Sequence, residues 1–263
     1  MIFVKQMNVL KKISNKELIK IPQEQHKEGI MTMKLTKKHN ELIRLKFLKG
    51  TVCDTLPGQD DYLGSIYFSW INIIKQGEKK ELDVLNSLAK SINNSANNST
   101  LLDDLGEDYY RIKGLSKEMY ATVIVSIWSK VEYYHGLIAS CLGIGKNVYK
   151  INDFSKKMEK IGINITLFNK YNEINAVRIL NNRIKHENGL YKNGANKVNN
   201  KKEDVIEPAV FNNWQAAFEP KDTVGKTYKI DCSKLNIEQI LSDCNNYLKD
   251  LFDKAISYRE NKN

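Results

Sequence analysis

A chain of 263 residues has room for one large domain or two small ones, and a hydrophobic content of 41% is enough to supply a core. Only four prolines interrupt it, and few runs alternate between apolar and polar residues, so we predict a mainly helical protein. The formal net charge is +10, and the longest apolar runs, residues 62–74 and 119–142, contain polar or charged side chains, which excludes both as membrane spans.

The cysteines and short motifs exclude several other classes. Cys53, Cys141, Cys232 and Cys244 form no CxxC pair, which favours buried, reduced thiols in a cytoplasmic protein over a disulfide framework or a zinc site. The N-terminus lacks the apolar core and small residues of a signal peptide. The sequence contains no Gly-rich phosphate loop, HExxH or nucleophile elbow, so no cofactor and no metal are expected.

The N-terminal part is basic and is predicted to form a helical module. Residues 1–50 contain 12 basic and 4 acidic residues, a net charge of +8. Such a segment can steer a protein toward nucleic acid, although no aromatic platform beyond Phe47 is interleaved with its basic residues and simple solvation is the stronger interpretation. The polar run at 93–100 has the composition of an exposed loop, so we predict an N-terminal basic helical module over 1–100 and a second domain over 101–263. Within the first module, helices are predicted at 1–20, 35–48, 60–75 and 79–92, with a loop at 50–59.

The second domain is predicted to be a helical bundle. Residues 101–114 look irregular, and Ser116 is placed to cap a core helix that runs to about 142, with Leu115 and Tyr120 as a hydrophobic staple. The last helix, about 235–258, matches the i, i+3, i+4, i+7 pattern closely. Between them we predict a short helix at 152–161, a helix at 167–187, a mobile polar loop at 190–204, a connector at 208–218 and a short strand at 227–232.

The helix at 167–187 carries the most informative residues. Arg178, Asn182, Lys185, His186 and Gly189 are spaced +4, +3, +1 and +3, which places them in one stripe along one helix face. They combine a guanidinium fork, an amide, an ammonium and an imidazole that can move a proton near neutral pH. Gly189 is placed to end the helix. A solvated helix face is the commoner explanation of such a stripe, and an anion or phosphate site is the sharper one.

This pattern, Arg-x-x-x-Asn-x-x-Lys-His-x-x-Gly, resembles the terminal motif of HEPN-like helical proteins of bacteria. The resemblance covers about residues 116–258 and implies an all-α, up-and-down helical bundle, here with the additional N-terminal module. In the commonest form of the motif a polar residue follows the Arg, and four to six residues separate the Arg from the His. Here Asn181 stands at the position where that Arg is usual, and Arg178 lies nearly one turn earlier.

The resemblance implies a metal-independent endoribonuclease of a bacterial defence or toxin–antitoxin system. Its partners would be RNA, a second copy of the chain that brings two motifs together, and an antitoxin or other partner protein. In that mechanism His186 acts on the attacking 2′-hydroxyl or the leaving oxygen, and Arg178 and Lys185 stabilise the phosphorane charge. Asn182 and Glu132 orient the set, with Glu132 paired to Arg178 because an acid on the early core helix commonly pairs with the motif Arg.

The competing interpretation is a non-catalytic scaffold that binds RNA or protein. The stripe would then be structural, with Arg178 and Glu132 as an internal ion pair and Asn182 bonded to a neighbouring helix. Asn181 in place of an Arg favours this interpretation. The accessibility of His186 distinguishes the two, since a catalytic imidazole must line an open surface. His135 is expected to be a surface or packing residue.

Overall fold

The computed structural model describes residues 37–53, 62–93, 99–145, 148–192, 205–221 and 227–262. These residues are mostly helical, with one small sheet, which confirms the broad all-α prediction. The predicted basic helix at 1–20, most of the loop at 50–59 and most of the lysine-rich loop at 190–204 lie outside the described residues. The predicted division near residue 100 stays a prediction.

Seven helices and three strands make up the described part of the chain. The helices are α1 (Lys37–Val52), α2 (Tyr62–Asn93), α3 (Ser99–Leu142), α4 (Ile151–Glu159), α5 (Tyr171–His186), α6 (Pro208–Asn213) and α7 (Ile237–Glu260). The strands are β1 (Leu190–Lys192), β2 (Phe218–Pro220) and β3 (Thr227–Ile230). None of the helices in these ranges has the length and apolar character needed to cross a bilayer.

The core lies where α3, α5 and α7 meet. An aromatic group at its centre joins the helices: the His135 ring stacks on Phe154 with centroids 4.4 Å apart, and its Nε2 lies 3.0 Å from the Tyr247 hydroxyl. Trp128 packs edge-on against the same imidazole. His135 is fully buried, so it is a packing residue, and all four cysteines are likewise buried and free, as predicted.

Arg259, near the end of α7, ties three helices together. Its Nε donates to the backbone oxygen of Cys141 at 2.9 Å, which satisfies a carbonyl in the last turn of α3. Its Nη2 lies 2.6 Å from the Glu41 carboxylate on α1. Because Arg259 is buried, this contact is desolvated, and it fixes α1 against the C-terminal ends of α3 and α7.

Helices α2 and α3 continue beyond the core as a two-helix arm. Among the described residues between Ile74 and Ser116, none is fully buried. Half-buried positions nevertheless recur with coiled-coil spacing of three and four, which indicates a seam of side chains packed between the helices. The seam consists of Glu78, Leu82, Leu85, Ala89 and Ile92 on α2 and of Leu102, Leu105, Asp108 and Ile112 on α3, and it ends at the buried Ser116.

A polar contact closes the seam where the arm leaves the core. The Glu78 carboxylate accepts hydrogen bonds from Lys113 Nζ and, at 2.6 Å, from Ser116 Oγ. Burial alone would raise the pKa of Glu78, but these two hydrogen bonds outweigh burial and lower that pKa.

Three predictions about these two helices were wrong. Residues 62–93 form one helix, 101–114 are helical, and Ser116 bonds another helix from within α3 instead of capping it.

The three strands form one antiparallel sheet in the order β1-β3-β2. Tyr191 pairs with Tyr228, and Phe218 pairs with Ile230, so their side chains share the inner face of the sheet. There they pack on Phe211 of α6. The predicted strand at 227–232 is confirmed as β3, whereas β1 and β2 were not predicted.

The Glu78 contact should contribute measurably to stability. We expect Glu78→Gln to lower the free energy of unfolding by about 1–3 kcal/mol, because hydrogen bonds to a charged group are lost at a half-buried site. Glu81→Gln, an exposed position on the same helix, is the matched control and should change it by less than about 0.5 kcal/mol. Urea titrations followed by circular dichroism measure both, and equal losses would contradict a specific role for Glu78.

The buried imidazole should make stability depend on pH. Burial lowers the pKa of His135 from 6.5 to about 4, despite the opposing effect of its contact with the Tyr149 carbonyl. In the unfolded chain the imidazole gains a proton below about pH 6.5, while in the folded protein it stays neutral, so stability falls as the pH falls. Between pH 6.5 and about 5 we expect a loss of roughly 2 kcal/mol, measured by urea unfolding at each pH.

His135→Gln is the variant that tests this dependence. It keeps a polar group beside Tyr247 but removes the titrating imidazole, so the slope of stability against pH in that range should disappear. An unchanged slope would assign the pH dependence to other groups.

Candidate functional site

The N-terminus of α5, the helix that carries the motif, is anchored to α7. Lys170 precedes the helix in a left-handed conformation with φ of 67°, and its Nζ lies 3.1 Å from Glu173 and 3.3 Å from Asp243. Asp243 is buried on α7 and also accepts a hydrogen bond from Gln239. The hydrogen bond to Glu173, more than the opposing effect of burial, raises the pKa of Lys170. The start of α5 is therefore fixed.

The middle of α5 is buried on every side. All residues from Ala176 to Asn181 are buried, including Arg178, which is only 8% exposed. Arg178 Nε donates a hydrogen bond to Asn175 Oδ1 at 2.9 Å, one turn back on the same helix. The guanidinium is thus held inside the bundle, where it orders the helix and is not presented as part of an open stripe.

Two further polar residues in α5 bond within their own helix. Asn181 is buried and its amide nitrogen donates to Asn182 Oδ1 at 3.2 Å, while Asn181 Oδ1 finds no hydrogen-bond partner among the described residues. Arg183 is also buried and pairs with Glu187 one turn on. The predicted bond from Asn182 to a neighbouring helix is not among the contacts of the described residues.

The last turn of α5 emerges at the surface. Lys185 and His186 are exposed, and Asn182, one turn before His186, is half-buried. Asn188 and Gly189 then take left-handed conformations with φ of 50° and 72°, and the Gly189 N–H bonds to the Arg183 carbonyl at 2.9 Å. Gly189 thus helps to end the helix, as predicted. Of the five predicted site residues, the structure brings Asn182, Lys185 and His186 together at an accessible place.

Glu132 lies in a different environment. It lines an open groove of about 550 Å³ between α3 and the start of α4, together with Ser129, Tyr133, Tyr149, Lys150 and Asp153. Among the described residues, no ion pair joins Glu132 to Arg178. The predicted Glu132–Arg178 pair is therefore not seen, and its physical basis is absent, because Glu132 is only half-buried and water can solvate its carboxylate.

Sequence reasoning placed the lysines of residues 190–204 beside the site but missed Lys229, which also lies at the exposed turn. Lys229 of β3 reaches back along the sheet, and its Nζ donates to the backbone oxygen of Asn188, two residues after His186. Lys192, at the end of β1, is exposed. Neither residue has a motif spacing relative to His186. The antiparallel pairing of β1 with β3, which sets Leu190 opposite Lys229, brings both lysines close to the exposed turn of α5. The sequence carries no signal of that register.

The exposed turn is thus cationic and carries one imidazole. Lys185, His186, Lys192 and Lys229 supply positive charge or proton-transfer capacity, and the carboxylate of Glu187 is occupied by Arg183. Such a surface can bind phosphate groups and move a proton. Within the described ranges, no group of three or more His, Cys, Asp or Glu side chains could hold a metal ion. No protein-family model, curated protein or solved structure matches this chain.

Replacing the buried Arg178 should destabilise the protein far more than replacing the exposed Lys185 or His186. We expect Arg178→Ala to lower the free energy of unfolding by about 2–4 kcal/mol, because it leaves a cavity and breaks a buried charge-assisted hydrogen bond. Lys185→Ala and His186→Ala, at exposed positions of the same helix, should change it by less than about 0.5 kcal/mol. Denaturant unfolding decides this, and a small effect of Arg178→Ala would show that the guanidinium is not a structural group.

Proposed function

We propose that this protein is a HEPN-like, RNA-directed protein that acts as a metal-independent endoribonuclease, and that its reacting groups lie at the C-terminal turn of α5. The resemblance of the motif and the helical bundle built around α3, α5 and α7 support the proposed fold. The exposure of His186 beside Lys185 and Asn182 carries the functional proposal. A buried His186 would have favoured a structural stripe.

The proposed reaction is the transfer of a phosphodiester to the neighbouring 2′-oxygen of RNA. His186 of one copy takes the proton of the 2′-hydroxyl as its oxygen attacks phosphorus. The bond from phosphorus to the 5′-oxygen breaks, and His186 of a second copy protonates that leaving oxygen. Products are a 2′,3′-cyclic phosphate and a 5′-hydroxyl. The reaction needs two copies because the described residues of each chain place one imidazole, His186, at the site.

The other residues then take different parts. The Lys185 ammonium stabilises charge on the phosphorane oxygens, and the Asn182 amide orients the imidazole or the phosphate from one turn away. Arg178 is a positioning residue, since it holds the helix from inside, and Glu132 has no part at this site. The proposed biological context is bacterial defence or a toxin–antitoxin pair with a protein antitoxin. Only the resemblance to HEPN-like proteins supports it.

A non-catalytic RNA-binding or protein-interaction scaffold is the second candidate. The inward position of Arg178 favours it, because the guanidinium is bonded to Asn175 and lies about two helical turns from His186. An exposed cationic turn would then bind phosphates without cleaving them.

Cleavage of RNA in EDTA distinguishes the candidates. We expect the purified full-length protein to cut single-stranded RNA in EDTA and to leave 2′,3′-cyclic phosphate ends, and we expect His186→Ala to lose cleavage by at least about 100-fold, the typical contribution of general acid–base catalysis. Gel analysis with identification of the product ends measures both.

Lys254→Ala, an exposed lysine on α7, is the control for loss of surface charge and should cleave at the wild-type rate. RNA binding without cleavage by the wild-type protein would select the scaffold. Cleavage by His186→Ala at the wild-type rate would remove His186 from the reaction.

A further inference from the structure

The outer face of the three-stranded sheet carries no large buried side chain. Strand pairing places Leu190, Lys229 and Glu219 opposite one another, so they form a row across this face. Lys192 and Thr227 form the next paired row on the same face. All five are exposed or half-buried, whereas the inner face holds Tyr191, Phe218 and Ile230 in the core. The outer face is therefore an accessible surface made mostly of polar groups.

This outer face has an excess of positive charge. Its one carboxylate, Glu219, lies 2.9 Å from Lys234 Nζ and 3.7 Å from Lys117 Nζ. The hydrogen bond from Lys234 lowers the pKa of Glu219 despite partial burial, so Glu219 is ionised at neutral pH and shares these two ammonium groups with the buried Asp231. Lys192 and Lys229 make no ion pair with any described residue. Their charges are left to attract an anion.

The charged face is continuous with the exposed turn of α5. Lys229 Nζ contacts the Asn188 carbonyl, two residues after His186, and the Ile230 N–H bonds to the Gly189 carbonyl at 2.8 Å. The same short connection leads from α5 into β1, so Lys192 lies only six residues beyond His186. Among the described residues, a polyanion bound at Lys185 and His186 would therefore pass onto the sheet without crossing a carboxylate that lacks a basic partner.

We propose that the outer face of the sheet is a binding track for the backbone of single-stranded RNA, with Lys192 and Lys229 on its phosphates. This inference rests on the proposed RNA-directed function and adds the class of substrate. A three-stranded sheet is about 10 Å wide between its edge strands, narrower than one major groove of a duplex, so it matches a single backbone better than two. The lysines supply charge without base recognition, so binding is independent of sequence.

The dependence of RNA affinity on salt tests the track. The full-length protein is titrated against a fluorescent single-stranded RNA of mixed sequence over a series of NaCl concentrations, and the slope of log K against log salt is measured. Each lost phosphate contact on a single strand should reduce the magnitude of this slope by about 0.7, so the Lys192→Gln, Lys229→Gln double variant should reduce it by about 1.4. The Lys249→Gln, Lys254→Gln variant of α7 loses the same charge at exposed positions and should keep the wild-type slope.

An unchanged slope in the double variant, or an equal reduction in the α7 control, would overturn the track. Lys192→Gln alone should reduce the slope by about 0.7, and because the exposed Lys192 side chain makes no hydrogen bond or ion pair with a described residue, it tests the proposal even if loss of Lys229 impairs folding. Tighter binding of a duplex of the same sequence would also overturn it.

The two proposals fail differently. Loss of cleavage in His186→Ala tests the nuclease, whereas the salt dependence of the Lys192→Gln, Lys229→Gln variant tests the track. If the Lys192→Gln, Lys229→Gln variant changes the slope but the wild-type protein cuts no RNA, the proposed binding track is supported and the proposed nuclease activity is wrong. If the wild-type protein cuts RNA but replacing Lys192 and Lys229 leaves the salt slope unchanged, the nuclease activity is supported and the proposed track is wrong. A wild-type protein that neither binds nor cuts RNA overturns both.

Discussion

The burial of α5 on nearly every side is the constraint on which the rest of the structure depends. On a buried helix, each unpaired amide or guanidinium costs free energy, so most polar side chains of α5 bond nearby, with Asn181 Oδ1 as the exception among the described residues. Arg178 therefore bonds to Asn175, and Arg183 bonds to Glu187, both within the helix itself. Only the final turn escapes the bundle, and the polar groups there are free to meet solvent or ligand. A stripe that is uniform in sequence is thus divided by packing into a structural half and an accessible half.

The α2–α3 arm shows why helix interruptions were predicted where none exist. Gly77, Gly106 and Gly114 each cost about 1 kcal/mol in a helix, and they cluster where the sequence suggested breaks. Each has open space around its Cβ position, so none marks a tight turn or a close approach. The continuous seam between the two helices offsets this local cost. Because the arm is only half-buried, its apolar residues are diluted by charged ones, and the signal of a helix pair is weak within either segment alone.

Strongly periodic elements were predictable, and the site was predictable only in part. Helix α7 matches its predicted bounds within two residues because its apolar positions recur over the whole length of a buried face. Strands β1 and β2 have three residues each, too few to establish an alternating pattern. Spacing correctly grouped Lys185 with His186, which are neighbours in sequence. It could not group either of them with Lys229, which arrives through strand pairing, or show that Arg178 turns inward.

A buried carboxylate joins the sheet to the bundle. Asp231, just after β3, is 2% exposed and lies 2.7 Å from Lys117 on α3. Burial alone would raise its pKa, but the adjacent Lys117 ammonium and the hydrogen bonds from Ser233 outweigh burial and lower it. The attraction is present above the carboxyl's unfolded pKa of 3.8 and is lost as the pH falls through the lower folded value. At neutral pH, this ion pair therefore holds the sheet that carries Lys192 and Lys229 to α3.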